Sequence, residues 1–510
     1  MGPDAALTTP HRGPSDWAPA PPAQSPRRDR HQNPVLGHPR YGFVGLGFGD
    51  EGKGSITSAY AALAQTKPLV VRFNGGPQAA HHVVLPDGRV HCFSQFGSGM
   101  FCAGAETLLL SRMLIEPLAL LREAEHLEQL GCPEPLLRTA ISLRCVVVTP
   151  WHRLLNRMRE TEKGSARHGS CGLGVGQAFL DSQNPHLPTL RVSDLLDAGT
   201  LPAKLRFLQA VKVDQAEQWL DALPNVPSRP ALEHLYEKLR KPDWPARLLH
   251  EYGRFARCGI RWVDDLQLEQ LLSDPQKTCL FEGAQGVLLD ADHGFFPFVT
   301  PSRTTFENAL EALAGQPMQR IGVVRAYATR HGAGPFPTES EKLTRTLTEA
   351  HNVDNPWQGP MRVGFFDAVL ARYALRLVHG VQGLSVTCLD RLLGLPKLLI
   401  CDRYRLDKPD PDARVEFDRF FVFDRAGHVV DLRVAENPTK RHQQTLTELV
   451  AKCRPCYREL APIDQLYESD GSLSASAHDY VAALCTELGL CPPMELCVST
   501  GPTNESKHFF

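Results

Sequence analysis

Short apolar runs that end in glycine recur along the chain, each followed by a segment with helical spacing. "RYGFVGLG" is the first, and "SITSAYAALAQ" follows it as a predicted helix; "PLVVRF" is a second buried strand, ending at "NGGPQAAHHVV". "LLREAEHLEQLG" and "VSDLLDAG" carry helical periodicity, and residues 202 to 275 are charged, leucine-spaced and mostly helical. From "TCLFEGAQGVLLDADHG" the strand-then-loop rhythm resumes in "RIGVVRAYATR", "GLSVTCLD" and "LPKLLICD". Strands alternating with helices predict an α/β fold: a large central sheet, mostly parallel or mixed, flanked by helices and carrying a helical insertion. The polar segment from 402 to 445 is expected as a surface excursion, with "FDRFFVFD" as an edge strand.

Residues 1 to 40 break this pattern. They are rich in Pro and Arg and poor in aliphatics, so they are expected as a disordered tail ahead of a folded domain spanning 41 to 510. No apolar h-region marks a secretory signal there. Over the 510 residues, 42% hydrophobic and 22% charged content is that of a soluble globular protein. The net charge of −2 gives no bulk attraction to nucleic acid or membrane. No apolar run is long enough to span a bilayer. The 14 cysteines are scattered, many within apolar runs, as reduced thiols are in a cytoplasmic protein. One CxxC, Cys453 to Cys456, has no second pair at zinc spacing and reads as structural.

The chemistry sits in the loops after the strands. "GLGFGDEGKGS" matches the first seven positions of the phosphate-loop pattern from Gly47 through Gly52 to Lys53, but Gly54 stands where the hydroxyl belongs and Ser55 comes one residue late. Backbone N–H groups and a helix N-terminus suit an anion, and Lys53 adds charge. Asp50 and Glu51 would repel phosphate unless a carboxylate binds a metal or takes a proton, both of which suit phosphoryl transfer. A glycine-rich turn with a solvated DEGK tip is the alternative. In "NGGPQAAHH", Gln78 can donate or accept and His81 is a candidate general acid. "HGSCGLGVGQ" places Ser170 and Cys171 in another glycine loop, pointing to a second phosphorylated ligand. Gln285 and Thr300 are uncharged hydrogen-bonding groups in an apolar frame. Asp390 in "TCLD" could accept both the N1–H and the exocyclic amine of guanine.

In this order, "GDEGKG", "FEGAQGVLLDADHG", "RAYATRHGAGPFPTE" and "STGP" resemble the adenylosuccinate synthetase family over residues 41 to 510. The resemblance implies a GTP-dependent C–N ligase of purine nucleotide biosynthesis on a phosphate-loop-like fold. Such an enzyme phosphorylates the 6-oxo group of IMP from GTP, its co-substrate, and lets an amine, L-aspartate by default, displace the phosphate to give adenylosuccinate. It further implies one Mg²⁺ per subunit, a homodimer, a cytoplasmic location, and no nucleic-acid or membrane partner.

Position by position, the resemblance makes Asp50 the catalytic base and His81 the general acid. GTP falls to Gly49, Asp50, Glu51, Gly52, Lys53, Gly54, Ser55, Ala80, His81, His82, Cys388, Leu389, Asp390, Ser499, Thr500 and Gly501. The nucleotide substrate falls to Asp50, Lys53, Gln78, His81, Cys171, Gln285 and Thr300, and the metal to Asp50 and the carbonyl of Ala80. Departures are Gln78 for asparagine, His82 for threonine, Ser170–Cys171 for a double threonine and Cys388 for lysine. Near Pro185 and His186 the family has arginines, one reaching across a dimer, and this chain has none.

The amino-acid loop departs furthest. "NPWQGPMRVGFFD" keeps only Arg362 where the family has threonines and several arginines. Losing two hydrogen bonds to charged groups costs about 3–6 kcal/mol, on the order of 10²–10⁴ in affinity. A paralogue joining another amine or nucleotide is therefore one alternative expectation, and a non-catalytic nucleotide-binding regulator is another.

Overall fold

A computed structural model describes residues 36–164, 170–223, 226–348, 359–406, 417–492 and 494–510. The proposed tail falls outside the described residues up to position 35. Ten strands form the central sheet: β1 (Arg40–Gly45), β2 (Lys67–Arg72), β3 (Glu106–Leu109), β4 (Thr139–Ser142), β5 (Arg261–Val263), β6 (Lys277–Gly286), β7 (Gln319–Arg325), β8 (Gly383–Thr387), β9 (Glu495–Ser499) and β10 (Lys507–Phe509). Their order across the sheet is β10-β9-β8-β7-β1-β6-β2-β3-β4-β5. Every neighbouring pair is parallel except β9 with β10.

Burial explains why these runs lack polar alternation. β1, β2 and β6 are covered on both faces, so consecutive residues must all be apolar. Arg72 at the end of β2 and Glu282 in the middle of β6 are charged and yet fully buried. β1 lies in mid-sheet, and the chain leaves it for β2 on one side while β7 pairs on the other. The crevice beyond the carboxyl ends at such a switch point is where open α/β sheets bind ligands.

The predicted helical insertion is present. Helices Leu201–Ala222, Arg229–Leu239 and Trp244–Ala256 pack with Pro117–Gln129 and Pro150–Lys163 around Leu154, Leu205, Leu232, Tyr252 and Phe255.

Two expectations are corrected. "LPKLLICD" lies in the strand Leu398–Leu406, which belongs to a separate five-stranded sheet with Phe366–Asp367, Phe421–Phe423, Val429–Leu432 and Cys453–Leu460. The described part of 402–445 is accordingly half core: Tyr404, Phe421, Val429 and Leu432 are buried, and the polar residues alternating with them face outward. "FDRFFVFD" does supply the edge strand, Phe421–Phe423. Cys453 and Cys456 share one strand at odd spacing and so point to opposite faces. Both thiols are free.

The insertion is fastened to the helix Val175–Gln183 by one charged cluster. The fully buried Lys212 Nζ donates to Asp181 Oδ2 (2.7 Å), Gln177 Nε2 donates to Asp181 Oδ1 (2.8 Å), and His152 Nε2 lies 3.3 Å from Asp181 Oδ2. Asp181→Ala would strand the Lys212 ammonium, a loss of about 3–5 kcal/mol. Chemical denaturation should show a lower midpoint, and an unchanged midpoint would contradict this reading of the cluster.

Candidate active site

The loop after β1 delivers two adjacent carboxylates in opposite directions. Glu51 turns inward: its Oε1 accepts from Gly49 N (2.7 Å) and its Oε2 from Lys53 Nζ (2.8 Å), with both side chains buried. The Glu51 carboxylate fills the space a side chain at Gly45 would need, since a Cβ there would lie 1.9 Å from Oε2. Lys53 Nζ also donates to Gly49 O (3.0 Å), and Thr387 Oγ1 at the end of β8 donates to Glu51 O (2.7 Å). Asp50 turns outward. Arg325 Nε donates to its carbonyl, while its carboxylate keeps 27% exposure with His331 Nε2 at 4.0 Å. Burial pushes its pKa up, against the pull of His331 and Arg325.

Helix α1 (Lys53–Leu63) starts directly from this loop, and its first turn explains the displaced hydroxyl. A Cβ on Gly54 would come within 2.5 Å of His81 Cβ and 3.0 Å of Ser98 Oγ. Only glycine lets the helix approach His81 so closely, and Ser55 faces away to donate to Pro502 O (3.3 Å).

His81 opens the hairpin His81–Val84/Val90–Phe93 and is buried against Glu282. Its Nδ1 lies 2.6 Å from Glu282 Oε1. Ser98 Oγ also donates to Oε1 and Ser98 N to Oε2 (3.1 Å), with Arg72 Nε 4.0 Å from Oε2. Burial alone would raise the Glu282 pKa, but His81, Arg72 and Ser98 hold it down at about 2. The imidazole is thereby oriented by a fixed carboxylate, the arrangement that sets a histidine's tautomer and ring direction. Burial lowers the His81 pKa against the opposing pull of Glu282. His82 follows it, half-buried, and Ala80 precedes it, exposed.

Gln78 and Gln285 meet at Gly75: a Cβ there would lie 3.6 Å from Gln285 Oε1 and 3.8 Å from Gln78 Nε2. The Oε1 atoms of both glutamines are buried without a hydrogen-bond partner, so two acceptors stand open at this corner. Gln285 also holds a left-handed backbone, φ 58°. The helix Val175–Gln183 abuts this corner, with Val175 against Gly76 and Gly176 against Pro301. It thus sets the Cys171 loop beside the segment carrying Thr300. Ser170 Oγ donates to Asn156 Oδ1 (2.9 Å), and burial raises the Cys171 thiol pKa. Thr300 Oγ1 lies 3.5 Å from Ser302 Oγ.

The ends of β8 and β9 lie side by side, with Val386 opposite Val498. Cys388 takes a left-handed backbone, φ 59°, and starts the short 3₁₀ turn that holds the buried Leu389 and the half-buried Asp390. Ser499 Oγ donates to Gly501 O (3.0 Å). Thr500 Oγ1 points away from the crevice, to Tyr467 OH (2.5 Å) and His508 Nε2 (3.1 Å).

A sequence model of the family described as adenylosuccinate synthetase matches residues 43–507. This chain belongs to the adenylosuccinate synthetase family. It is 32% identical to the adenylosuccinate synthetase of Cyanothece sp. over 446 residues, covering 86% of this chain and 93% of the relative. It is 35% identical to that of Lactobacillus acidophilus over 371 residues, covering 71% and 80%. Among solved structures it is similar to a fully ligated adenylosuccinate synthetase from Plasmodium falciparum, with TM-score 0.72 and 22% identity over 92% of this chain and 99% of that one. The cyanophage S-2L succinoaminodeoxyadenylate synthetase, bound to dGMP and dATP, is more distant at TM-score 0.51 and 16% identity, covering 92% and 94%. Members of the adenylosuccinate synthetase family are GTP-dependent ligases that typically join IMP and aspartate, and this chain is such a ligase.

Arg362, expected to hold the amino acid, lies on the strand Met361–Gly364, paired opposite Arg330. Its Nη1 donates to Glu339 Oε2 (2.8 Å) and its Nη2 to Gly334 O (2.9 Å). Arg330 is fully buried over the Phe48 ring at 4.1 Å and donates to the carbonyls of Ala333 and Pro335. Burial, then Arg362, lowers its pKa to about 9. Residues 355–358 of the altered loop fall outside the described residues, and His186 is exposed.

Glu282, Arg72, Ser98, Arg325, His331 and Thr387 escaped the sequence reading. Two of them carried a signal: a lone charge in an otherwise apolar strand, in "VVRF" and "CLFEG", needs a buried partner.

Glu282→Gln removes the carboxylate that orients His81. Phosphate release should fall about 10²- to 10⁴-fold, the range of a positioned general acid, with little change in the KM for GTP. Activity within threefold of the parent would show that His81 does not depend on Glu282.

Proposed function

We propose that the crevice at the strand ends carries out phosphoryl transfer from GTP to the 6-oxygen of IMP, followed by displacement of that phosphate by L-aspartate. The observation that carries this reading is the pairing of an outward, partly exposed Asp50 with a glutamate-fixed His81 on either side of Lys53 and the α1 N-terminus. Oxide is too poor a leaving group for an amine to displace. Asp50 takes the N1 proton of the purine, the 6-oxygen attacks the γ-phosphorus, and the bond to the β-phosphate oxygen breaks to release GDP. His81 donates a hydrogen bond to the transferring oxygen as charge develops there. The amine then attacks C6, loses a proton, and expels phosphate.

Lys53 and the amides of Asp50 to Ser55 would meet the phosphates. The Glu51 carboxylate takes up the Gly49 N–H and orients Lys53 toward them. Gln78, Gln285, Thr300 and Cys171 border the place of the second nucleotide, and Asp390 with Ser499 to Gly501 reads the guanine. The donor set suits Mg²⁺: one carboxylate with an outward oxygen, Asp50, and the carbonyl of the exposed Ala80 leave the remaining positions to phosphate and water. The ion would supply charge neutralisation on the phosphates. The protein would work as a cytoplasmic homodimer.

One observation favours a second amine. The single loop arginine, Arg362, is already engaged by Glu339, which leaves less charge to hold aspartate.

Phosphate release from GTP with Mg²⁺, IMP and aspartate tests the reading. Release is expected to require all four and to yield adenylosuccinate, and to drop at least about 10³-fold in Asp50→Ala. Release that needs IMP but ignores aspartate would overturn the choice of amine. No release with any nucleotide, or full release from Asp50→Ala, would overturn the mechanism. The base works ionised, so a raised pKa moves its protonation to higher pH. The kcat/KM profile, which reports the free enzyme, should therefore fall on the acid side with an apparent pKa above the ordinary carboxylate value of 3.8.

A further inference from the structure

We propose that Lys507 is a positioning residue for guanine selectivity, pinning the carbonyl turn after β9 beside the loop that carries Asp390. Lys507 stands on β10, opposite Ser499 of β9, and its side chain is buried with only 3% exposure. Its Nζ donates to Gly501 O (2.8 Å) and to Thr503 O (2.8 Å), which pins the turn that follows Ser499. The same ammonium lies in the field of Asp390 and Cys388, on the loop after β8. One buried cation thus pins the loop after β9, while its charge acts on the neighbouring loop after β8.

The chemistry gives this arrangement a purpose. Asp390 can accept from both the N1–H and the 2-amino group of guanine only while it is ionised and aimed in the plane of the ring. A buried ammonium beside it favours the ionised form. Burying that ammonium is costly, and here the cost is offset by two carbonyls and a neighbouring carboxylate rather than by a close ion pair. Burial lowers the Lys507 pKa to about 8, while Cys497, Cys388 and Asp390 pull it back up. At position 388 the chain carries a thiol, and Lys507 brings a buried cation to the strand ends β8 and β9 near Asp390. It enters from an antiparallel edge strand, the one break in an otherwise parallel sheet.

This inference rests on Asp390 reading the base, so the test separates the two claims. KM values for GTP and for ITP, which lacks the 2-amino group, are measured in the phosphate-release assay for the parent, Lys507→Met, Lys507→Arg and Asp390→Asn. In Lys507→Met the KM for GTP should rise about 10- to 100-fold, the KM for ITP much less, and the KM for IMP not at all, with the loss falling on KM rather than kcat. Lys507→Arg, which keeps the cation, should recover part of the preference for GTP. Equal rises for GTP and ITP would overturn the proposal, as would a preference for GTP that survives in Lys507→Met. Should Lys507→Met fail to fold, the neutral Lys507→Gln decides: a GTP-to-ITP preference no different from the parent overturns the proposal. If Asp390→Asn leaves the preference intact, base reading by Asp390 fails. If Asp390→Asn abolishes it and Lys507→Met does not, only the role of Lys507 fails.

Discussion

The Glu282 carboxylate is the point on which the site depends. It is fully buried, yet it stays ionised, because His81, Ser98 and Arg72 converge on it from three separate segments. A lone charge at that depth would cost several kcal/mol, so the carboxylate is tolerable only while all three are in place. The requirement works in both directions. It fixes the hairpin that carries His81 against β6, and it fixes the 94–98 loop against β2 through Arg72, whose Nη1 donates to the carbonyls of Ser94 and Phe96. Gly54 then lets the first turn of α1 rest on His81 itself. The phosphate loop, the histidine and the central strands are therefore one packed unit.

Within that unit, two neighbouring carboxylates divide the labour by direction. Glu51 is used up inside the loop, bonded to Lys53 and to Gly49 N. Asp50, one residue earlier, has its carbonyl anchored by Arg325 and its carboxylate left toward the crevice. An aspartate amid phosphate-binding groups is paradoxical only if both carboxylates face the same way. The fold gives the inward one a structural task and leaves the outward one available to take a proton.

Much of this was legible in the sequence, for physical reasons. Apolar runs such as "PLVVRF" must be buried on both faces, and their glycine-rich exits mark where backbone turns toward a ligand, so the sheet and the loops bearing Asp50, His81, Gln285 and Asp390 could be read directly. Pairing at a distance could not. His81 and Glu282 are separated by 201 positions, and no local pattern says that a glutamate in an apolar strand serves a histidine in a hairpin. The second sheet was misread because Tyr404, Phe421, Val429 and Leu432 are diluted by exposed polar neighbours, and period-two alternation over three- or four-residue strands is a weak signal. Lys507 gave no sign either, since a lysine near "STGP" reads as solvated until β10 turns it inward.

The central claim is that the crevice activates the 6-oxygen of the purine by phosphorylating it. IMP labelled with heavy oxygen at the 6-oxo position tests this most directly, through mass analysis of the phosphate released in turnover with GTP, Mg²⁺ and aspartate. The account predicts that the label leaves the purine and appears in inorganic phosphate, one atom for each product formed. Phosphate that carries no label, with the heavy oxygen retained on the purine or lost to water, would contradict it.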